Sequence, residues 1–66
     1  MIYITKFNHE EILLNNDLIE SVEETPDTVI TLTSGKKLVV QESKKDIYKK
    51  VMEAKQIARQ TGFITD

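Results

Sequence analysis

Near the middle of the chain stands Thr33-Ser34-Gly35-Lys36-Lys37, a glycine set between small hydroxyl residues and two lysines. Residues of these types can wrap a phosphate, with backbone N–H groups cradling it and a lysine neutralising it. A loop of the G-x-x-x-x-G-K-[ST] kind needs another glycine five residues earlier, and Ile30 occupies that position. The residue after Lys36 is a second lysine, where Ser or Thr would hold a metal ion. A strand-like run, Leu38-Val39-Val40, follows in place of a helix whose N-terminus could face an anion. The stretch therefore reads as a hairpin turn, with Gly35 supplying a positive φ.

Other reactive groups are few. Glu10-Glu11 and Glu23-Glu24 are adjacent pairs. Neighbours on a strand point to opposite faces, so neither pair makes an acid–base couple. His9, the one histidine, falls in a turn beside Glu10 with no recognisable nucleophile or orienting group. One histidine and no cysteine leave no metal centre of the His/Cys kind and no disulfide. No cofactor is expected, and the chain does not read as an enzyme. Six lysines, Lys36, Lys37, Lys44, Lys45, Lys49 and Lys50, could meet phosphates of a nucleic acid. An acidic total charge of −2 and a single arginine, Arg59, weigh against that use. Tyr3 and Phe7 have the ring faces to stack bases, but their alternating spacing is that of core positions in a strand.

Sixty-six residues make one domain, and a chain this short buries only about 60% of its unfolded surface. Such domains usually need a disulfide, a metal or a second subunit, and the composition leaves the third. The charge is unevenly spread. Residues 1–33 carry seven acidic side chains and one lysine, while residues 34–66 carry eight basic and four acidic ones. The two halves can attract each other within or between chains, or lie as ordinary solvated surface. The N-terminus lacks the apolar run of a secretory signal. Nothing approaches the roughly 20 apolar residues of a membrane span. A cytoplasmic location is expected.

The elements that must position these residues are short. Ile2–Phe7 is β-branched and aromatic and predicts a strand, turned by Asn8-His9-Glu10 into a second over Glu11–Asn15. Asn15, Asn16 and Asp17 predict a turn, and a third strand runs from about Ile19 to Glu23. Glu24-Thr25-Pro26-Asp27 predicts another turn, with Pro26 fixing its φ. Thr28–Thr33 is the strongest strand pattern, and the Gly35 turn leads into Lys37–Val40. The period then changes to 3.6. Ser43 is an N-cap, Asp46 sits at the capping-box position, and a helix is predicted from about Lys44 to Thr61. Gly62 would end it, Phe63 and Ile64 would fold back on its last turn, and residues 62–66 would form a short tail. Ile47, Val51, Ala54 and Ala58 fall within about 60° on its wheel. Tyr48 and Met52 form a second stripe, suited to covering a sheet edge or seating a protein partner. With Lys36 and Lys37 they are the candidate partner-binding residues.

The fold class expected is α+β: a small antiparallel sheet or half-barrel of about five strands, then one C-terminal amphipathic helix. The strands are apolar on both faces, with Ile30 and Leu32 opposing Val29, Leu38 and Val40 opposing Val39, and Ile12 and Leu14 opposing Leu13. One helix covers one face only, so the other must be closed by curvature or by another subunit. A homo-oligomer and a closed monomeric half-barrel both satisfy this.

The segment IESVEETPDTVITLTSGKKLVVQES, residues 19–43, resembles the FlbD family of small flagellar-operon proteins, also called SwrD. Its members show L-N-x-x-x-I-E, then P-D-T-x-I-T-L-x-x-G-K-K, then V-V-x-E-S and an amphipathic helix. Here these are Leu14-Asn15, Ile19-Glu20, Pro26-Asp27-Thr28, Ile30-Thr31-Leu32, Gly35-Lys36-Lys37, Val39-Val40 and Glu42-Ser43. The likeness covers roughly residues 1–58. Asn8-His9 stands where the family often has Asn-Gly, and residues 60–66 have no counterpart. The resemblance implies a non-enzymatic cytoplasmic protein that supports flagellar motor function and swarming, with a motor or stator component as partner. MIYIT and LVVQESKKDIYKKVMEAK are also similar to the carbon storage regulator family, intertwined strand dimers that bind messenger RNA. That likeness implies five strands and a helix, a swapped dimer, and an alternative role as an RNA-binding regulator. Lys6 fits its basic first strand, but Gln41-Glu42 stands where its last strand is basic.

Overall fold

A computed structural model describes the backbone of residues 1–65 and the side chains of residues 1–55. Five antiparallel strands are followed by one helix: β1 (Ile2–Thr5), β2 (Glu11–Leu14), β3 (Ile19–Glu24), β4 (Thr28–Leu32), β5 (Lys37–Val40) and α1 (Lys44–Thr65). The strands form two sheets, β1-β2 and β3-β4-β5. Pairing of Lys6 with Val40 bridges them, flanked by Phe7 N–H to Val39 O at 3.1 Å and Gln41 N–H to Thr5 O at 2.8 Å. The first strand is therefore shorter than predicted, and its last residues serve as the seam to β5. The connection from β2 to β3 is a 3-10 turn over Asn16–Leu18, capped by the Asn15 side chain, which accepts from Asp17 N–H. The loop after β3 holds a cis Thr25–Pro26 bond.

Alternation along the strands decides the core. Ile2 and Ile4 on β1, Leu14 on β2, Ile30 on β4, Val40 on β5 and Ile47 on α1 are all buried. Ile12, Ile19, Val22, Leu32, Leu38, Val51 and Ala54 pack around them. The helix stripe of Ile47, Val51 and Ala54 thus faces inward as its spacing predicts, and α1 lies against β1 and β3. Ala58 lies outside the described side chains. Ser43 caps the helix, its Oγ accepting from Asp46 N–H at 3.1 Å. A second cap comes from far along the chain: Lys44 N–H donates to the Glu24 carboxylate at 2.8 Å. The helix continues through Gly62 to Thr65, four residues past its predicted end. A glycine inside a helix costs only about 1 kcal/mol relative to Ala, less than is needed to stop it. The fold-back of Phe63 and Ile64 falls outside the described side chains.

Two of the hairpins share one turn geometry. In the β4–β5 turn, Leu32 N–H donates to Lys36 O at 2.8 Å and Gly35 N–H to Leu32 O at 2.8 Å. In the β1–β2 turn, Lys6 N–H donates to Glu10 O at 2.8 Å and His9 N–H to Lys6 O at 2.9 Å. Each loop ends on a left-handed residue, Gly35 at φ 91° and His9 at φ 71°. A Cβ on Gly35 would meet nothing within 4 Å, so Gly35→Ala is a pure backbone change. It is expected to lower stability by about 1 kcal/mol in a urea titration. His9→Gly is expected to move it by less than half as much, since relief of strain is offset by added freedom of the unfolded chain. Equal effects of the two substitutions would refute the shared geometry.

Candidate interaction surface

The alternation that buries Ile2 and Ile4 turns Tyr3 and Phe7 outward. Both were expected in the core from their spacing, yet Tyr3 is 58% and Phe7 65% exposed. The correction follows from parity: one face of β1 belongs to the two isoleucines, and the rings take the other. Register extends this outer face. Tyr3 lies opposite Leu13, Val29 lies opposite Val39 and Glu23, and Phe7 hydrogen-bonds across to Val39. Leu13 and Val39 are exposed too. Tyr3, Phe7, Leu13 and Val39 are thus exposed on the side opposite the buried isoleucines. Tyr3 also borders a groove with Lys50, Glu53 and Ala54 of α1, and Phe7 a separate one with Pro26, Thr28 and Ser43.

The predicted partner-binding residues are divided between two places. Lys36 and Lys37 lie at the β4–β5 turn, both exposed. Tyr48 and Met52 lie beyond the other end of β5, on α1, and both are exposed. The structure does not gather the four into one site. The hydroxyl of Ser34 accepts from Lys36 N–H at a long 3.4 Å, a contact within the turn itself. The outer-face residues could have been found from the strand alternation, which already opposes Leu13 and Val39 to buried neighbours.

The acidic groups have structural uses. Glu10 forms an exposed ion pair with Lys6 at 3.3 Å, of the kind worth under about 1 kcal/mol. Glu24 caps α1. Both carboxylate oxygens of Glu42 accept from Thr5 N–H, at 3.0 and 2.9 Å. His9 Nδ1 lies 2.9 Å from the Gln41 side-chain nitrogen, which also reaches Phe7 O at 3.4 Å. Among the described residues no group of three or more His, Cys, Asp or Glu side chains is placed to hold a metal ion. No helix among them is long and apolar enough to cross a membrane.

These observations define a small α+β protein whose most distinctive surface feature, among the described residues, is a set of exposed apolar side chains on the outer side of its strands. The chain belongs to the FlbD family of flagellar and swarming motility proteins, whose family model matches residues 1–58. No curated protein and no solved structure shows a significant match.

Proposed function

We propose that this chain is a non-enzymatic, cytoplasmic accessory protein of the flagellar apparatus, supporting motor function and swarming through protein–protein contacts. Family membership supports the motility role. The observation that supports a contact mechanism is the outer face of Tyr3, Phe7, Leu13 and Val39. Large apolar side chains exposed on one side of a small domain are candidates for interaction sites. Tyr48 and Met52 on α1 form a second candidate contact, and Lys36 and Lys37 a third. A motor or stator component is the partner class that the family suggests.

The test is complementation of a strain lacking the gene. The native chain is expected to restore swarming, and the double substitution Tyr3→Ser/Phe7→Ser to fail while its circular dichroism stays native. These side chains leave no core position, so their removal is expected to shift stability by less than about 1 kcal/mol. Unchanged swarming in the deletion strain would overturn the motility role. Full rescue by the folded double variant would overturn the contact surface.

A further inference from the structure

We infer that the open edge of β2 pairs, antiparallel, with β2 of a second copy of this chain. Hydrogen-bond parity carries the inference. On β1 the backbone groups of Thr5 and Phe7 are turned toward β5, since Gln41 N–H bonds Thr5 O and Phe7 N–H bonds Val39 O. Successive residues of a strand alternate, so Ile2, Ile4 and Lys6 turn their groups toward β2. The bond from Lys6 N–H to Glu10 O agrees. With Ile2 opposite Leu14 and Ile4 opposite Ile12, the groups of Leu14, Ile12 and Glu10 face β1. Those of Glu11 and Leu13 therefore point away from it. Among the described residues none is paired with β2 on that side.

The two outer edges of the fold are built differently. β3 carries Glu20, Glu23 and Glu24 in six residues and has a register shift between Ile19 and Ser21. Charges and bulges of this kind blunt an edge against pairing. β2, Glu11-Ile12-Leu13-Leu14, has one charge, at its first residue, and no bulge. Charge also favours a second β2 as occupant. In a twofold antiparallel pair centred on Ile12, Glu11 lies opposite the partner's Leu13, and no carboxylate faces another. Two β3 edges brought together would set their acidic residues against each other. Each Leu13 would then lie between Tyr3 of its own copy and the partner's Glu11, with the two Leu13 side chains as diagonal neighbours on the outer face. Four residues a side is well below the roughly 20–30 of a standard interface. The dimer is accordingly a reversible, concentration-dependent one. This inference stands apart from the motility reading, because it is tested on the purified chain alone.

Sedimentation equilibrium over micromolar to millimolar concentrations is the measurement. The native chain is expected to shift from monomer to dimer, and Leu13→Glu, which sets a carboxylate opposite the partner's Glu11, to raise the dissociation constant about tenfold or more. Leu13 N–H makes no bond within the sheet, so Leu13→Pro is a second variant that blocks the edge. Amide exchange of the native chain gives a readout free of substitution: Glu11 and Leu13 N–H should gain protection with concentration. A monomer throughout the range would overturn the inference. So would a dimer that folded Leu13→Glu leaves unchanged, or one in which the Glu11 and Leu13 amides exchange as fast as in the monomer. The last result would leave the edge available to an extended segment of another protein.

Discussion

Ile30→Ala is expected to remove a third or more of the stability of this protein. Ile30 is fully buried at the centre of the three-stranded sheet, opposite Val22 on β3 and Leu38 on β5. Among the described residues it is one of six buried hydrophobic ones. Truncating a buried isoleucine to alanine costs about 2–5 kcal/mol, the higher values where surrounding elements cannot collapse into the cavity. Two flanking strands hold the space around Ile30 open, so a cost near the middle of that range, about 3–4 kcal/mol, is expected. A domain of 66 residues has about 3–10 kcal/mol in all. The variant should therefore show a much lower urea midpoint or no folded baseline at room temperature. Ile30→Val, with one methyl group fewer, should lose only about 0.5–1.5 kcal/mol. An alanine variant within about 1 kcal/mol of native would mean that Ile30 is not the centre of the core.

The second large effect is expected at a polar residue. After Gln41 the chain leaves β5 to begin α1, and the ladder between β1 and β5 ends there. Thr5 N–H then has no strand carbonyl to take it, and the Glu42 carboxylate fills that role with both oxygens. The bond spans 37 positions in sequence, so it ties the first sheet to the root of the helix. Glu42→Ala leaves a partly buried N–H without its charged acceptor, at a cost of about 1.5–3 kcal/mol. Glu42→Gln keeps one acceptor oxygen and is expected to cost less than half as much. Urea titrations of the two variants measure this directly. A glutamine variant as damaged as the alanine one would show that the charge acts at long range, not through the bond.

The local parts of this fold are legible in the chain. The Gly35 turn, the Ser43 cap and the β4 pattern each depend on a few adjacent residues whose conformational preferences agree. The inward helix stripe follows from spacing alone. What spacing could not reach is pairing between distant segments. Two sheets in place of one follow from the seam at Lys6 and Val40, and nothing near Lys6 announces Val40 as its partner. The Glu42 bond to Thr5 and the Glu24 cap on Lys44 are hidden for the same reason. Tyr3 and Phe7 were misplaced because alternation gives two faces without saying which is inner. That choice falls to the helix, which packs over Ile2 and Ile4. The candidate partner-binding residues, Lys36 and Lys37 on one side and the Tyr48–Met52 stripe on the other, lie beyond opposite ends of β5, a separation that spacing along the chain does not give.

The seam between the sheets also bears on how the molecule assembles. Each hairpin closes over a short stretch of chain, whereas the bridge from Lys6 to Val40 and the bond from Thr5 to Glu42 enclose more than half of it. Loop-closure entropy must be met before such distant contacts are gained. On this ground the β1–β2 hairpin and the β3-β4-β5 meander are expected to form before they dock. Docking, with Glu42 and the first turn of α1 as the latch, is expected to be the slow step. Glu42→Ala should then slow refolding in stopped-flow measurements.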